Sequence, residues 1–498
     1  IRRLNFHFPP RLHTFEYQNQ NDMQSIVRNK NFINGEWLES NEPKLNIVDK
    51  YTQKLISSVN MADADQVELA ITSAENAFKE LKKLSTGERI KFLDELHKEL
   101  KNNEDKFIDL IIAEAGKPRG YAKMEIQRCL DTLETASREA YTFSGETVPI
   151  DYNNGSGKTA FTKRVAIGPI TAISPFNFPL NLALHKIAPA IATGNPIILK
   201  PAPQSPLTAL AFAALVEKIG MPKGSVNILI ADIPQSQKLV TDDRIKLLSF
   251  TGSPEIGWKL KNIAGKKKVQ LELGGNAASI VDENSDWKKA ARMLAIGSFL
   301  YAGQICISTQ RIYVHSNIYN DFMNEFITES QKINSGDPNI LGNHNGPMIS
   351  GIHLEQISSW VNEAKDQGAK IMLGGKIFSE EHNIYENTIL TNTNTAMKVN
   401  SEEAFAPIAI VEEFKNFGEA IDFVNDSRFG LQASVFTNNF ENIKTAHNEL
   451  EVGAVVINDI PGFRIDSMPY GGVKDSGLGR EGLKYAMMEY TEPRMLVY

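Results

Sequence analysis

The sequence predicts an α/β fold built on a parallel, doubly wound sheet. Between Val165 and Leu273, five short apolar runs alternate with segments of helical spacing, which is the pattern of consecutive strand-helix-strand units. A second α/β region follows over about Asn276 to Pro461. With 498 residues the chain is too long for one ordinary domain, so we expect two or three domains.

Helices are predicted before this sheet. Ala62 to Leu81 has helical spacing, and Ser85-Thr86-Gly87-Glu88 is typical of a capping box that opens the next helix. A helical stretch from Ala122 to Ala140 carries Cys129, which we interpret as a buried small hydrophobic residue. The Gly- and Thr-rich stretch from Phe143 to Lys163 is consistent with a hairpin.

Polar residues stand where the first two predicted strands end. The run Val165 to Ile173 passes through Ser174-Pro175-Phe176-Asn177-Phe178-Pro179 into a helix-like segment. The next strand ends in Lys200-Pro201-Ala202, and Ser205-Pro206 is expected to cap the helix that follows. An Asn amide at such a junction can donate to an oxyanion, although a capping or Asx-turn asparagine is the alternative.

A third junction is suited to a phosphate. The strand Leu247 to Phe250 meets Thr251-Gly252-Ser253-Pro254 and then a helix that reaches about Gly265. Small residues at a helix start leave free N–H groups at the positive end of the helix dipole. The ordinary dinucleotide fingerprint Gly-x-Gly-x-x-Gly does not follow any predicted strand.

Cys306 and Glu272 suggest covalent catalysis. Cys306 stands in Gly303-Gln304-Ile305-Cys306, 34 positions after Glu272 of Glu272-Leu273-Gly274-Gly275. A thiolate can add to a carbonyl carbon, and a carboxylate can take a proton from the thiol or from a water that attacks the acyl intermediate. A free thiol has a pKa of ~8.5, so useful reactivity needs a helix N-terminus, a cation or a base nearby.

These stretches together resemble the aldehyde dehydrogenase superfamily, closest to its lactaldehyde and glyceraldehyde-3-phosphate dehydrogenase branch. The resemblance covers Asn31 to Tyr498 and rests on ordered motifs. They are Ser174 to Pro179, Leu199 to Ala202, Ser249 to Gly257, Glu272 to Gly275, Gly303 to Cys306, Glu402 to Pro407, and Met468 to Gly482.

The resemblance implies an oxidation of an aldehyde to the carboxylic acid with NAD or NADP. Cys306 is then the nucleophile that forms a thiohemiacetal, and Asn177 with the Cys306 backbone N–H forms the oxyanion hole. Glu272 would activate the water that hydrolyses the thioester. The implied cofactor contacts are Ser174, Pro175, Phe176, Lys200, Pro203, Phe250, Gly252, Ser253, Ile256, Leu273, Glu403 and Phe405.

Among these contacts, individual roles follow from the resemblance. Lys200 and Glu403 match the positions that hold the adenine-side and nicotinamide-side riboses, although each by itself is also consistent with a solvated charge. Ser253 would meet the pyrophosphate, and Phe405 would pack near the nicotinamide. Because Pro203 stands where many NAD-preferring members carry a glutamate, nothing at that position repels a 2′-phosphate, and both nucleotides stay open.

The resemblance also implies the architecture: an aldehyde dehydrogenase-like fold with a Rossmann-type parallel sheet in the cofactor domain, an α/β catalytic domain and a small bridging or oligomerisation β-sheet. We assign residues 23–144 and 165–275 to dinucleotide binding and 276–470 to catalysis. Residues 145–164 and 482–498 form the bridging segment, and a homodimer or homotetramer is expected. Residues 1–22 are interpreted as a leader or as an addition foreign to the natural protein.

The substrate is an aldehyde whose identity the motifs leave open. Ile305 precedes the nucleophile and would line the site with hydrocarbon, whereas members that take phosphorylated aldehydes often have Arg there. Arg464 of Gly462-Phe463-Arg464-Ile465-Asp466 could bind a small anionic or hydroxylated aldehyde, or equally pair with Asp466 on the surface. Ala406 replaces the glycine of the usual motif, which affects only the local backbone.

Two other functions are weighed against hydrolytic oxidation. A coenzyme A-acylating dehydrogenase would use a thiol in place of water, but such members usually lack the glutamate at the position of Glu272. A non-catalytic dinucleotide-binding protein on the same fold would not need the set Cys306, Glu272 and Asn177.

Composition favours a cytoplasmic enzyme. The net charge is −7 and no basic face stands out, so nucleic acid is an unexpected partner. The chain has two cysteines and no Cys-x-x-Cys or His-Glu-x-x-His, so neither a disulfide framework nor a metal site is predicted. No run of about 18 apolar residues predicts a membrane span.

Overall fold

The structure, a computed structural model, describes Gln20–Tyr498, with side chains from Asp22 onward. Most of the leader predicted at residues 1–22 therefore lies outside the described residues. The α-helices are α1 (Gln20–Met23), α2 (Ala64–Leu81), α3 (Thr86–Asn102), α4 (Glu104–Ala115), α5 (Arg119–Thr142), α6 (Asn181–Thr193), α7 (Leu207–Lys218), α8 (Ile233–Thr241), α9 (Pro254–Ile263), α10 (Trp287–Phe299), α11 (Tyr319–Ser330), α12 (Gly351–Asp366), α13 (Lys398–Ser401), α14 (Phe417–Asn425), α15 (Phe440–Glu449) and α16 (Leu483–Glu489).

The strands are β1 (Asn31–Ile33), β2 (Glu36–Leu38), β3 (Lys44–Val48), β4 (Leu55–Asn60), β5 (Thr147–Val148), β6 (Ala160–Ala166), β7 (Ile170–Ile173), β8 (Ile197–Lys200), β9 (Val226–Ile228), β10 (Leu247–Thr251), β11 (Lys268–Glu272), β12 (Ala278–Val281), β13 (Arg311–His315), β14 (Asn334–Ser335), β15 (Asn343–Asn345), β16 (Lys370–Leu373), β17 (Ile377–Ser379), β18 (Ile384–Tyr385), β19 (Thr388–Thr391), β20 (Ile408–Phe414), β21 (Phe429–Gly430), β22 (Gln432–Phe436), β23 (Ala454–Ile457), β24 (Val473–Lys474), β25 (Gly477–Leu478) and β26 (Thr491–Val497). Two short 3₁₀ segments cover Asn153–Gly155 and Leu300–Gly303.

The first sheet has the strand order β2-β1-β9-β8-β7-β10-β11-β25. Its five central strands, β9-β8-β7-β10-β11, are parallel, as the five apolar runs predict. Alternate residues of β8 face opposite layers: Ile197 and Leu199 pack with α6 and α7, and Ile198 packs with α2. Helices therefore cover both faces, and the prediction of a doubly wound sheet is confirmed.

The second sheet has the order β16-β19-β20-β13-β12-β22-β23 and is parallel except at β16. It confirms the second α/β region. Helices α10 and α11 pack on one face, and α14 and α15 pack on the other. The chain passes from β11 of the first sheet to β12 of the second through Leu273 to Ala277, so the Glu272 motif lies between the two sheets.

The C-terminal residues return to the first half of the chain. The short strand β25 pairs antiparallel with β11, opposite Leu271 and Glu272, and α16 joins the core of α5 and α6. Strand β26 pairs antiparallel with the whole of β6, and β5 pairs with the other edge of β6, which confirms the predicted hairpin. The third sheet is thus β26-β6-β5.

Helix starts show one confirmed and one wrong prediction. Ser85 and Glu88 form the reciprocal bonds of a capping box at the start of α3, as predicted. Ser205 does not cap α7, because its hydroxyl donates instead to the Phe176 carbonyl at 3.0 Å. The first amides of α7, Leu207 and Thr208, each donate at 2.7 Å to the carboxylate of Glu114, which comes from α4.

In the described part of the chain, no helix combines the length and the apolar composition that crossing a membrane requires.

Candidate active site

The polar junctions predicted from the sequence meet at one edge of the first sheet. In the first sheet β7 and β10 are neighbours. From β7 the chain continues outward through β8 and β9 on one side, and from β10 it continues to β11 on the other side. Ligands of open α/β sheets bind outside the carboxyl ends of strands at such a switch point. Ser174, Lys200 and the Gly252-Ser253 turn all follow strands that end at this edge.

Cys306 is presented by an unusual left-handed turn. Tyr301, Ala302 and Gly303 have φ of 51°, 55° and 65°, a conformation that costs energy for residues other than glycine. Tyr301 is anchored because its hydroxyl donates to the Ala115 carbonyl at 2.9 Å. A Cβ on Gly303 would lie 2.1 Å from the Ala406 carbonyl oxygen, so this backbone approach requires glycine.

The Cys306 thiol has a phenol beside it. Its Sγ lies 3.1 Å from the hydroxyl of Tyr470, which belongs to the tail motif. Burial raises the pKa of the Cys306 thiol to about 11, although the hydrogen bond from Tyr470 and the charge of Arg464 act to lower it. Cys129 is fully buried in α5, where burial also raises its pKa, so its interpretation as a core residue is confirmed.

Asn177 and Cys306 are brought together through Gln304. The Asn177 side-chain nitrogen donates to the Gln304 carbonyl at 2.8 Å, and the Gln304 side-chain oxygen accepts from the Ile349 amide at 2.9 Å. A capping role for Asn177 is wrong, because the amides of Leu180 and Asn181 donate to the Glu125 carboxylate at 3.1 and 3.2 Å. The second hydrogen of the Asn177 amide remains for an oxyanion.

Glu272 is a buried carboxylate at the end of β11. Within the described residues neither of its oxygens has a hydrogen-bond partner, and a Cβ on Gly471 would lie only 2.8 Å from one of them. Burial, together with the charge of Glu481, raises the pKa of Glu272 well above its usual range. A carboxylate with a raised pKa is a stronger base, which suits proton abstraction from water.

Glu403 lies against the Gly274-Gly275 turn. Its carboxylate accepts a hydrogen bond from the Gly275 amide at 3.0 Å, and a Cβ on Gly274 would lie 2.2 Å from it. Burial raises the pKa of Glu403 to about 7, so Glu403 is not a solvated acid. Its neighbour Glu402 pairs with Arg428 at 2.6 Å.

Phe405 is held in the left-handed region, with φ of 48°. Its ring meets Phe176 edge to face at 5.7 Å between centroids, and its carbonyl lies 3.1 Å from the Nε2 of His353. These contacts bring the Glu402 motif beside the loop that carries Asn177.

The edge of the first sheet fits a dinucleotide. Ser174 Oγ and Thr251 Oγ1 are buried and have no hydrogen-bond partner within the described part of the chain. Burial lowers the pKa of Lys200, and the Ser253 side chain makes no capping bond at the start of α9. These groups, all at the carboxyl edge, could bind hydroxyl and phosphate oxygens.

The other predicted cofactor residues surround this edge. Phe250 and Leu273 are buried. Both would touch a Cβ placed on Gly257, so both pack closely against α9. Ile256 is 44% exposed on α9, and Pro203 is exposed in the turn after β8. Pro175 follows Ser174 in the loop after β7 and is half-buried.

A surface pair between Arg464 and Asp466 is wrong. The Arg464 side chain is only 6% exposed, and its Nη2 lies 3.2 Å from the Glu481 carboxylate. Its guanidinium carbon stands 3.6 Å from the centre of the Tyr470 ring. Asp466 is buried instead beside His185 and Arg128, at 3.2 and 3.4 Å.

The sequence did not predict two contacts near the site, that of Tyr470 with Cys306 and that of Glu481 with Lys186. Tyr470 and Glu481 stand in the tail motif, yet no spacing rule connects them to Cys306 or to Lys186 of α6. Lys186 donates to Glu481 at 2.8 Å and to Ser249 at 2.9 Å, with its side chain fully buried. Among the described residues, no group of three or more His, Cys, Asp or Glu side chains is placed to hold a metal ion.

Comparison with known proteins gives consistent matches over nearly the whole chain. A family model described as "Aldehyde dehydrogenase family" matches residues 37–496. The 3-sulfolactaldehyde dehydrogenase of Priestia aryabhattai is 41% identical over 468 residues, which cover 94% of this chain and 97% of that protein. The lactaldehyde dehydrogenase of Methanocaldococcus jannaschii is 36% identical over 474 residues, covering 94% and 99%.

A solved structure agrees at the level of the fold. Glyceraldehyde-3-phosphate dehydrogenase GapN from Methanocaldococcus jannaschii, complexed with NADP, superposes with a TM-score of 0.87 at 34% identity. The superposition covers 92% of this chain and 100% of that chain.

Proposed function

This chain belongs to the aldehyde dehydrogenase family, and from that premise we propose that it oxidises a short 2-hydroxyaldehyde through Cys306, Asn177 and Glu272. The general reaction is the family's: an NAD(P)-dependent oxidation of an aldehyde to its carboxylic acid. The observation that carries the assignment of residues is the convergence of the Cys306 turn, Asn177 and Glu272 between the two sheets.

Carbon–sulfur bond formation is the first step. The Cys306 thiolate adds to the carbonyl carbon, and the carbonyl oxygen takes up the negative charge as an oxyanion. Asn177 stabilises that charge with the amide hydrogen that Gln304 does not hold. The bond to Gln304 keeps the amide oriented before the substrate arrives, so little reorganisation is needed.

A nucleotide bound at the carboxyl edge of the first sheet would supply the hydride acceptor that allows the thiohemiacetal carbon to become a thioester on Cys306. Ser174, Thr251, Ser253 and Lys200 support binding of its phosphates and hydroxyls, because they are the polar groups of the carboxyl edge. Glu403 and Phe405 support the side nearer the nucleophile, through their packing on Gly274-Gly275 and Phe176.

Hydrolysis of the thioester completes the cycle. Glu272 takes a proton from water, the resulting hydroxide attacks the thioester carbon, and the carbon–sulfur bond breaks to release the acid and the thiolate. The balance is one aldehyde, one water and one oxidised nucleotide converted to one acid, one reduced nucleotide and a proton. The buried Glu272 carboxylate, which has no hydrogen-bond partner among the residues that the structure describes, supports this role and speaks against the coenzyme A-acylating alternative.

The substrate proposal rests on chemistry that three relatives share by name. Sulfolactaldehyde, lactaldehyde and glyceraldehyde 3-phosphate all carry a hydroxyl on the carbon next to the aldehyde. Around Cys306 the wall is apolar, formed by Ile305, Ile307 and Leu431, with the Tyr470 hydroxyl as a polar point. Arg464 is already paired with Glu481, which supports a positioning role for it over direct contact with an anionic substrate.

The test compares lactaldehyde with propanal, a matched pair that differs only in the 2-hydroxyl. Reduced nucleotide is followed by absorbance with NAD and with NADP, in the presence and absence of coenzyme A. We expect roughly tenfold higher kcat/KM for lactaldehyde and no need for coenzyme A. Equal values would refute the substrate class, and a requirement for coenzyme A would refute hydrolysis. A Cys306→Ala enzyme that still turns over would refute the nucleophile.

Domain roles and assembly are also proposed. The first sheet binds the nucleotide, the second carries Cys306, and β26-β6-β5 joins copies of the chain into a homodimer or homotetramer. Support for assembly comes from β26, an edge strand whose Met495, Leu496 and Val497 are half-exposed. A reducing compartment such as the cytoplasm suits the free thiols of Cys129 and Cys306.

A further inference from the structure

We propose that Tyr470 is a further catalytic residue, whose hydroxyl donates a hydrogen bond to the Cys306 thiolate, and that Arg464 is a positioning residue that acts through the Tyr470 ring. The inference rests on the proposed function, because it takes Cys306 as the nucleophile. It adds a thiolate-stabilising group that neither the motif roles nor the oxyanion hole supplies.

The first step of the argument is the contact itself. Cys306 Sγ and Tyr470 Oη are 3.1 Å apart, a distance within the range of a hydrogen bond to sulfur. Either atom can donate while the sulfur is a thiol. Once the sulfur is a thiolate it carries no proton, so only the phenol can donate, and the bond becomes charge-assisted and stronger.

The second step is how Tyr470 is held. Tyr470 is only 3% exposed, so its hydroxyl is shielded from bulk water. The Arg464 guanidinium carbon lies 3.6 Å from the ring centre, and Arg464 is held in turn by Glu481 at 3.2 Å. Glu481 is fixed by Lys186 at 2.8 Å. The Tyr470 side chain therefore lies between Cys306 and the connected charged groups of Arg464, Glu481 and Lys186.

The third step is the electrostatic balance around the sulfur. The Tyr470 hydroxyl and the Arg464 cation favour the thiolate, while the charges of the Glu403 and Glu272 carboxylates oppose it. Burial opposes it most strongly and raises the pKa of the thiol to about 11. Against two carboxylates and burial, the phenol and the guanidinium both act to lower the pKa of the thiol, and only the phenol is in hydrogen-bond contact with the sulfur.

The fourth step is that Tyr470 and Cys306 lie on different elements. Tyr470 pairs through its backbone with Glu481, at 2.9 and 2.6 Å, and so belongs to the tail that packs on the first sheet. Cys306 belongs to the chain that leads into the second sheet. The hydrogen bond therefore also ties the nucleophile to the nucleotide-binding half, which fixes the sulfur relative to Glu272.

The experiment measures alkylation of Cys306 by iodoacetamide as a function of pH in the full-length protein. Tyr470→Phe keeps the ring under Arg464 and removes only the hydroxyl. Because the thiolate loses a donor, its pKa rises, and the rate profile moves to higher pH. We expect about tenfold slower alkylation at neutral pH and a similar loss in kcat/KM, with the nucleotide affinity unchanged.

Controls separate this inference from the proposed function. Tyr319→Phe, which removes a phenol that is bonded to Thr391 and to the Val411 carbonyl in the second sheet, should leave the alkylation profile unchanged. Arg464→Gln should shift the profile in the same direction as Tyr470→Phe, with nucleotide binding reporting that each variant is folded. Mass spectrometry confirms that the label is on Cys306.

An alkylation profile in Tyr470→Phe that overlies the wild-type profile would overturn the inference while leaving Cys306 as nucleophile. Aldehyde oxidation that persists in Cys306→Ala would instead overturn the proposed function. A fall in kcat/KM without any shift in the alkylation profile would assign Tyr470 a purely structural or substrate-contacting role, and so would also contradict the inference.

Discussion

At the scale of single residues, burial determines the chemistry of this site more than net charge does. Glu272 and Glu403 are carboxyls whose pKa is raised because they are removed from water, and the pKa of the Cys306 thiol is raised for the same reason. Glu481 shows the opposite outcome. Burial also acts to raise its pKa, but the cations of Lys186 and Arg464 outweigh burial and lower it to about 2. Of these two neighbouring carboxyls, Glu272 therefore holds a proton more readily, whereas Glu481 stays ionised.

Glu272→Gln is expected to stall the enzyme at the thioester. The amide cannot take a proton from water, so steady-state turnover falls by roughly 10²-fold or more, while a first burst of reduced nucleotide persists. Stopped-flow absorbance measures both phases, and mass spectrometry detects the acyl-enzyme. Steady-state turnover equal to wild type would contradict the role of Glu272. The exposed Glu75→Gln is the matched control and should change neither phase.

The pH dependence of deacylation follows from the same residue. A general base works in its deprotonated form, and the pKa of Glu272 is raised, so the deacylation rate should climb with pH through a midpoint above the usual range of a carboxyl. Single-turnover measurements across pH report this limb. A rate that is flat from acidic to neutral pH would show that Glu272 is already ionised there.

Pro203→Glu is expected to shift preference toward NAD over NADP. Pro203 is exposed in the turn after β8, near Lys200, and a carboxylate there repels a 2′-phosphate. A surface charge pair implies a change of about five- to tenfold in the ratio of the two kcat/KM values. Pro203→Gln, which lacks the charge, is the control. The same shift in both variants would mean that the loss of proline, not the charge, is responsible.

At the scale of elements, two helix starts in this protein, those of α6 and α7, are capped by residues distant in sequence. Glu114 of α4 accepts the first two amides of α7, and Glu125 of α5 accepts the amides that open α6. Both acceptors are fully buried carboxylates that lie far from these helices in sequence. Remote capping couples the helices of the first layer. Ser205-Pro206 correctly predicted where α7 starts, but the acceptor of its first amides is Glu114 and not Ser205.

Glu114→Ala is expected to destabilise the fold. The substitution leaves two buried amides without an acceptor, which costs about 2–4 kcal/mol in the free energy of unfolding. Chemical unfolding followed by circular dichroism measures the loss, and Glu114→Gln should lose less because one acceptor oxygen remains. An alanine variant as stable as the wild type would show that water replaces the carboxylate.

At the scale of the whole molecule, the C-terminal residues after the second sheet contact the first sheet, its helices and the third sheet. After the second sheet, the chain crosses back to pair β25 with β11, pack α16 on α5 and α6, and add β26 to β6. The tail thereby brings Tyr470 to Cys306 and Glu481 to Lys186. The last strand ends as an edge with half-exposed Met495, Leu496 and Val497, which leaves an apolar surface to be covered.

Leu496→Lys is expected to weaken assembly. If two copies meet through this edge strand as proposed, a charge on it must be desolvated, so the proposed oligomer should dissociate at higher protein concentration than the wild type does. Sedimentation velocity across a concentration series measures the change. Ile233→Lys, a comparable substitution of an exposed isoleucine on α8, is the control. An unchanged sedimentation profile for Leu496→Lys would place the interface elsewhere.

Much of the fold could be predicted because local pattern determines it. The apolar runs from Val165 to Leu273 specify strands by their length and their turn residues, and they form the parallel sheet as predicted. The capping box at Ser85 needs only four adjacent residues, and it is present. The motifs around Asn177 and Cys306 named the side chains that the structure then brings together through Gln304.

Long-range pairing decided the rest. The partner of Arg464 is Glu481 and not the neighbouring Asp466, and the cap of α7 is Glu114 and not the adjacent Ser205. In both cases the sequence offers a plausible local partner. In a buried environment, however, the free energy of folding depends on which charges and hydrogen-bond acceptors are in direct contact. The sequence by itself determined the elements and the family, and it predicted Cys306 as the nucleophile. Only the tertiary structure decided which polar groups meet, because those contacts join residues that chain order keeps far apart.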